Sequence, residues 1–142
     1  MRRKDTLVRL KRFRVDDLKR RLATLDGMRA DLERKLSDLD DSVTREKQRA
    51  NDSDIGRLAF PSFLRSIDVR RENIRNSLNE IERERAECQG HLTDAYQDLK
   101  SLELAVEQEI KRAQEADNRK AQSRIDELAI VRHLRKHAIR QA

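Results

Sequence analysis

The side chains best spaced for chemistry in this 142-residue chain are two histidines, His133 and His137. Four positions apart on a helix, they would lie on one face, as the two histidines of a zinc-binding helix do. The residues between them lack the glutamate of that motif, and the sequence offers no third ligand nearby and no cysteine pair. We therefore interpret both as surface histidines and expect no metal site.

The single cysteine, Cys88, lies three residues before His91 and excludes an internal disulfide. Cys88 falls on the apolar repeat described below, so we interpret it as a small core residue. Carboxylates are abundant, but three glycines in total build no phosphate-binding loop, and no nucleophile elbow occurs. We expect no catalytic residues, no enzymatic activity and no cofactor, and a function that depends on binding.

Apolar residues recur at alternating spacings of four and three, forming a row that we call the seam. Between Val8 and Ala50 this spacing makes 13 positions, of which 10 are apolar; between Phe60 and Lys120 it makes 18, of which 14 are apolar. A 3.5-residue repeat keeps a narrow apolar stripe against one partner helix. We therefore predict an all-α protein, with two long helices forming an antiparallel coiled-coil hairpin in which the second helix overhangs.

Residues that disfavour helix interrupt the seam between Asn51 and Pro61. Gly56 would permit a left-handed turn and Pro61 suits a helix's first turn, so we predict helix one at about residues 4–51, a turn at about 52–60 and helix two at about 61–140, in a single unit over residues 1–142. Pairing residue i with about 111 − i leaves roughly residues 108–142 beyond helix one. Within that overhang, Asp117 and Asn118 are a candidate break.

Five side chains on or near the seam have two interpretations each. Arg29, Arg71 and Arg85 occupy seam positions. Their stems can follow the seam while their heads reach solvent, so they either mark the register or form a joint for a moving partner. Phe60 and Phe63 follow the turn, where they either pack helix two onto helix one or project towards a partner.

The net charge of +6 is unevenly distributed: residues 1–21 carry +7, residues 111–142 carry +5 and the middle carries −6. Basic ends are typical of a DNA-reading helix, of a helix on an anionic membrane, or of an end that meets an acidic protein surface. Acids interrupt the first basic stretch and the seam runs through it, which disfavours DNA reading. Since no apolar run approaches ~20 residues, we expect a cytoplasmic protein without stable membrane insertion.

Two stretches of the chain resemble the flagellar export protein FliJ family. One runs from Ile125 to Ala129, an apolar–Asp–Glu–apolar–Ala element followed by Arg132. The other is residues 60–67, which resemble the segment that opens the family's second helix. The basic termini, the polar turn and the long second helix extend the resemblance, in architecture, to the whole chain.

This resemblance implies a non-catalytic part of the flagellar type III export apparatus, similar in shape to the central stalk of a rotary ATPase. It implies three partners: the export ATPase hexamer, whose assembly and activity the protein would promote; the cytoplasmic domain of the export gate; and export chaperones, which it would escort. It also implies peripheral association with the membrane at the flagellar base.

The resemblance carries two sets of binding residues over to this chain. The ATPase-binding set is Ile125, Asp126, Glu127, Leu128, Ala129 and Arg132. The gate-binding set is Leu39, Phe63 and Ile67, although this chain lacks the aromatic residues that the family often has near Leu39. Two other functions stay open: a coiled-coil scaffold or tether that homodimerises through the overhang, and, less in keeping with the residues, a basic nucleic-acid-binding helix. We expect no nucleic-acid partner.

Overall fold

Two helices account for nearly all of the chain in this computed structural model, which describes Arg2 to Gln141. Helix α1 spans Arg2–Asp52 and helix α2 spans Asp54–Gln141. Between residues 2 and 141 there is no strand. The two helices pack against each other, which confirms the predicted all-α helical hairpin.

The chain divides into two units, Arg9–Gln97 and Met1–Val8 with Asp98–Ala142. Within Arg9–Gln97 the buried apolar residues all lie on the seam: Val15, Leu18, Leu25, Ala50, Ile67, Ile81, Cys88 and Ala95. In the other unit Leu99 is buried, also on the seam. Two packed helices bury only the single row of side chains that lies between them, so the core is narrow. The prediction of a single unit over residues 1–142 stays a prediction.

Three of the cross-helix ion pairs in Arg9–Gln97 share one register of α1 against α2. They join Arg85 Nε to Asp26 Oδ1 at 2.6 Å, Arg29 Nη1 to Glu82 Oε2 at 3.7 Å, and Arg71 Nη2 to Asp40 Oδ1 at 2.5 Å. Each pair joins residue i to residue 111 − i, the predicted register. The hydrogen bond to Asp26 and then its charge raise the pKa of Arg85 above its ordinary value. The three seam arginines therefore mark the register.

Ser53 alone connects the helices, and it caps the start of α2. The Gly56 N–H donates to Ser53 Oγ at 3.1 Å, and the Arg57 N–H donates to the Ser53 carbonyl at 3.1 Å. Asp54 places an acid at the positive end of the helix. The predicted turn at about 52–60 and start near 61 are therefore wrong, because Ser53 supplies the cap. Pro61 lies inside α2.

Gly56 allows the two helix ends to approach closely at this connection. A Cβ on Gly56 would lie 2.8 Å from the Arg49 carbonyl oxygen and 3.2 Å from the Ala50 Cα. No described glycine has a positive φ, so the expected left-handed turn at Gly56 is wrong and close approach is what this position requires. Arg57 Nε donates to the Ala50 carbonyl at 3.3 Å, which satisfies one of the last carbonyls of α1.

Helix α2 runs through Asp117 and Asn118 without the candidate break. Each of these residues costs a helix only about 0.5 kcal/mol relative to alanine. Ending the helix there would leave backbone donors and acceptors on both sides in need of new partners. The neighbouring residues are mostly good helix formers, so the continuous helix is the more stable arrangement.

Candidate partner-binding surfaces

The longest stretch of exposed apolar side chains lies at the end of α2, in residues 110–141, here called the C-terminal segment. Each described side chain in it is exposed except that of Ala116, which is half-buried. The exposed fractions of Ile125, Leu128 and Leu134 are 59%, 66% and 61%. A helix whose apolar face is uncovered is marginal in water. The segment therefore offers an apolar face to a partner.

The six residues of the predicted ATPase-binding set all lie on the C-terminal segment, but they do not share one face. Ile125, Leu128, Ala129 and Arg132 follow spacings of three and four, which align residues along one side of a helix. Asp126 and Glu127 point away from that side because each step turns the helix by about 100°. Asp126 Oδ1 accepts a hydrogen bond from Gln122 Nε2 at 3.1 Å. The geometry thus brings together the three apolar residues and the arginine.

The C-terminal segment also carries cations without acidic partners. Residues 111–142 have nine lysines and arginines against four acids. Over the part of the chain that the structure describes, none of these nine forms an ion pair: Lys111, Arg112, Arg119, Lys120, Arg124, Arg132, Arg135, Lys136 and Arg140. Since opposite charges attract across interfaces, a partner with an acidic rim would suit this segment.

The pairing of α2 with the start of α1 ends near Glu109. Lys4 Nζ forms an ion pair with Glu109 Oε2, and the hydrogen bond from Lys4, then its charge, lowers the pKa of Glu109. Beyond Glu109 the described residues of α2 form no ion pair with α1. The C-terminal segment thus begins where helix-to-helix pairing ends.

The predicted gate-binding residues differ in how accessible they are. Ile67 is 1% exposed and lies in the seam, where it supports the packing of the two helices. Leu39 and Phe63 are half-buried. Leu39 also lines a shallow groove together with Ile74 and Arg70. A protein partner can therefore reach Leu39 and Phe63. Ile67 is buried and would affect binding only by holding the helices that carry these two residues in place. Because Phe63 is half-buried, it is compatible both with packing of α2 onto α1 and with projection towards a partner.

A second groove runs between α1 and α2, with an apolar floor and a mostly acidic rim; we call it the acidic groove. Its lining comprises Met28, Asp31, Leu32, Lys35, Ser77, Glu80, Ile81 and Glu84. Met28 is 46% exposed. Sequence reasoning missed this groove, although Met28 stands next to a seam position and so signals a wider apolar stripe there.

Two highly exposed apolar residues stand in the first turns of α2. Ile55 is 80% exposed and Leu58 is 84% exposed. Their spacing of three places them side by side on the helix. Sequence reasoning missed them because it assigned residues 52–60 to a turn, where side-chain spacing has no such meaning.

Among the residues that the structure describes, those considered for chemistry do not assemble into a metal site. The His133 and His137 rings stack with centroids 5.9 Å apart. No group of three or more His, Cys, Asp or Glu side chains suited to a metal occurs between residues 2 and 141. Cys88 is 6% exposed, and its thiol donates to the Leu18 carbonyl at 3.4 Å, which confirms the interpretation of Cys88 as a core residue.

Neither α1 nor α2, over the residues described, has a stretch apolar enough to cross a membrane.

Comparison with known proteins identifies one family. The family model described as "Flagellar FliJ protein" matches residues 1–138. No curated protein and no solved structure matches the chain. The matched range covers α1 and all but the last residues of α2, including both stretches that resemble the family in sequence. The chain therefore belongs to the FliJ family and is a component of the flagellar export apparatus.

Proposed function

We propose that this protein is the central stalk of the flagellar export ATPase and acts without catalysis of its own. Its C-terminal segment would bind inside the ATPase hexamer and promote assembly and activity of the ring. The observation that supports this is a continuous helix whose apolar residues, among them Leu128 at 66% exposure, have no partner. The unpaired cations of the segment suit an acidic ring interior.

The mechanism would rest on binding energy alone. Burying apolar surface stabilises a complex by about 25 cal/mol per Å² before the costs of association. A single helix cannot contact six identical subunits equally. It would therefore favour one conformation in the subunits that it touches on its apolar side and leave the others less affected, since a ligand shifts an equilibrium only by its differential affinity.

The hairpin would serve the other partners. Leu39 and Phe63 would contact the cytoplasmic domain of the export gate, with Ile67 supporting them from the seam. Export chaperones would bind the exposed helix surfaces and be escorted to the gate. These contacts would hold the protein on the cytoplasmic side of the membrane at the flagellar base.

An ATPase assay with the cognate export hexamer tests the stalk function. We expect the full chain to raise ATP hydrolysis and Leu128→Asp to weaken the apparent affinity about tenfold, because a carboxylate in an apolar contact costs at least about 1.4 kcal/mol. Leu10→Asp is the matched control, since Leu10 is 59% exposed and lies in Arg9–Gln97.

Two results would contradict the proposal. One is an ATPase rate that the full chain leaves unchanged. The other is an equal loss of stimulation with Leu128→Asp and Leu10→Asp, because the effect would then reflect added negative charge and not the C-terminal segment.

A further inference from the structure

The acidic groove has an apolar floor that a partner can reach. Met28 is 46% exposed and Leu32 is half-buried, while Ile81 closes the floor at 6% exposure. Met28 to Lys35 on α1 and Ser77 to Glu84 on α2 each span two helical turns, about 10 Å. A groove of this length between two helices is suited to two turns of a third helix.

The rim of this groove selects a basic partner. It carries three carboxylates against the single ammonium group of Lys35. Asp31 pairs with Arg34 and Glu84 with Arg21, each at 3.0 Å, yet the side chains of both acids stay 66% and 52% exposed. Glu80 is exposed and forms no ion pair with any residue that the structure describes. The groove therefore has carboxylates on both sides of an apolar floor, with the excess negative charge on the α2 side, at Glu80 and Glu84.

The C-terminal segment carries the complementary surface. Ile125, Leu128 and Ala129 form an apolar strip slightly more than one turn long, and Arg132 on the same side extends it to about two turns. Arg135 and Lys136 continue the basic flank by one further turn. None of these three cations has an ion-pair partner among residues 2–141. An apolar strip that continues into a basic end thus complements, in length and in charge, an apolar floor with an acidic rim.

We propose that the C-terminal segment of one copy binds in the acidic groove of a second copy. The second copy is the occupant because every copy carries both the acidic groove and a segment of matching length and opposite charge. The contact joins two different surfaces, so it is heterologous and each added copy leaves one groove and one segment open. This self-association does not depend on the ATPase.

Sedimentation velocity of the protein alone, from about 1 µM to about 200 µM, measures this association. We expect the mean mass to rise with concentration at about 50 mM salt, and the affinity to fall about tenfold at about 300 mM salt. Glu80→Lys reverses a rim charge and should weaken the association about tenfold. Its matched control is Glu72→Lys, an exposed acid on α2 outside the groove with an arginine at the same i+3 position.

Mixing two defective variants separates this arrangement from a symmetric dimer. Glu80→Lys leaves the C-terminal segment unchanged and impairs the acidic groove, whereas Leu128→Asp leaves the acidic groove unchanged and impairs the segment. Each variant alone should associate about tenfold more weakly than the wild type, and at a concentration where each alone is monomeric an equimolar mixture should form heterodimers but nothing larger. A wild-type monomer at all concentrations, equal effects of Glu80→Lys and Glu72→Lys, or a mixture that stays monomeric would overturn the proposal.

Discussion

Gly56 illustrates how one hydrogen atom in place of a methyl group decides the fit of the helix ends. A Cβ at this position would meet the Arg49 carbonyl oxygen at 2.8 Å, and backbone cannot move aside as a flexible side chain can. We expect Gly56→Ala to lower the free energy of unfolding by about 1–3 kcal/mol, as overpacking does. Urea denaturation followed by circular dichroism measures it.

The control for Gly56→Ala is the same change at Gly27. A Cβ there has no neighbour within 4 Å, so only the helix propensity changes. Gly27→Ala should raise the free energy of unfolding by about 0.5–1 kcal/mol. Two substitutions of the same kind should therefore have opposite signs, and a stabilising Gly56→Ala would contradict the close approach of the helix ends.

Glu109 should report the pairing of α2 with the first turn of α1. Its pKa is lowered in the folded protein, first by the hydrogen bond from Lys4 and then by its charge. A carboxylate with a depressed folded pKa stabilises the fold above its unfolded pKa, and this contribution is lost as the pH falls through the folded pKa. NMR titration of the Glu109 carboxyl should show its pKa rising in Lys4→Met. Lys47→Met is a control that should leave it unchanged.

At the scale of the helix pair, stability depends on a single row of side chains. Leu25 is 0% exposed and is among the largest fully buried residues of the chain. Leu25→Ala should lower the free energy of unfolding by about 2–5 kcal/mol, because a narrow core has few neighbours to fill the cavity. Val69→Ala, at a residue that is 60% exposed, should cost less than about 1 kcal/mol. Similar values for the two would contradict a core confined to the seam.

The seam and the register could be predicted from the sequence because both follow from periodicity. The start of α2 could not, since Pro61 and Ser53 are both good start signals and only the contacts of the turn decide between them. The Gly56 and Arg57 amides donate hydrogen bonds to Ser53, so Ser53 is the cap at which α2 begins. In the sequence, Ser53 followed by Asp54 is the signal for the start of α2. Pro61 is the stronger signal for a helix start at that level, because prolines are uncommon inside helices.

The candidate binding surfaces were predictable to different degrees. The unpaired C-terminal segment follows from the unequal lengths of the two seams, so Leu128 was expected to be accessible. The burial of Ile67 also follows from its seam position, although the resemblance to the family placed it in a binding patch. The acidic groove was not predictable, because it depends on how far Met28 and Leu32 fill the space beside Ile81.

At the scale of the whole molecule, protection of the backbone should follow the partners of each helix. Amides that lie beside the buried seam residues open only when helix packing is lost, whereas those of the C-terminal segment need only local fraying. Hydrogen exchange should therefore be faster in residues 111–141 than in residues 15–35. Equal protection in a dilute monomer would contradict the absence of packing along the segment, and protection that grows with concentration would indicate self-association.

The single residue between the helices has a mechanical consequence. Sliding α1 past α2 by one heptad would displace them by about 10 Å, and a chain spans at most about 3.6 Å per residue. Ser53 alone cannot bridge that displacement, so at least one helix would have to unwind at its end. Around Ser53 the two helices therefore cannot slide along each other, and a force applied along one helix is transmitted directly to the other.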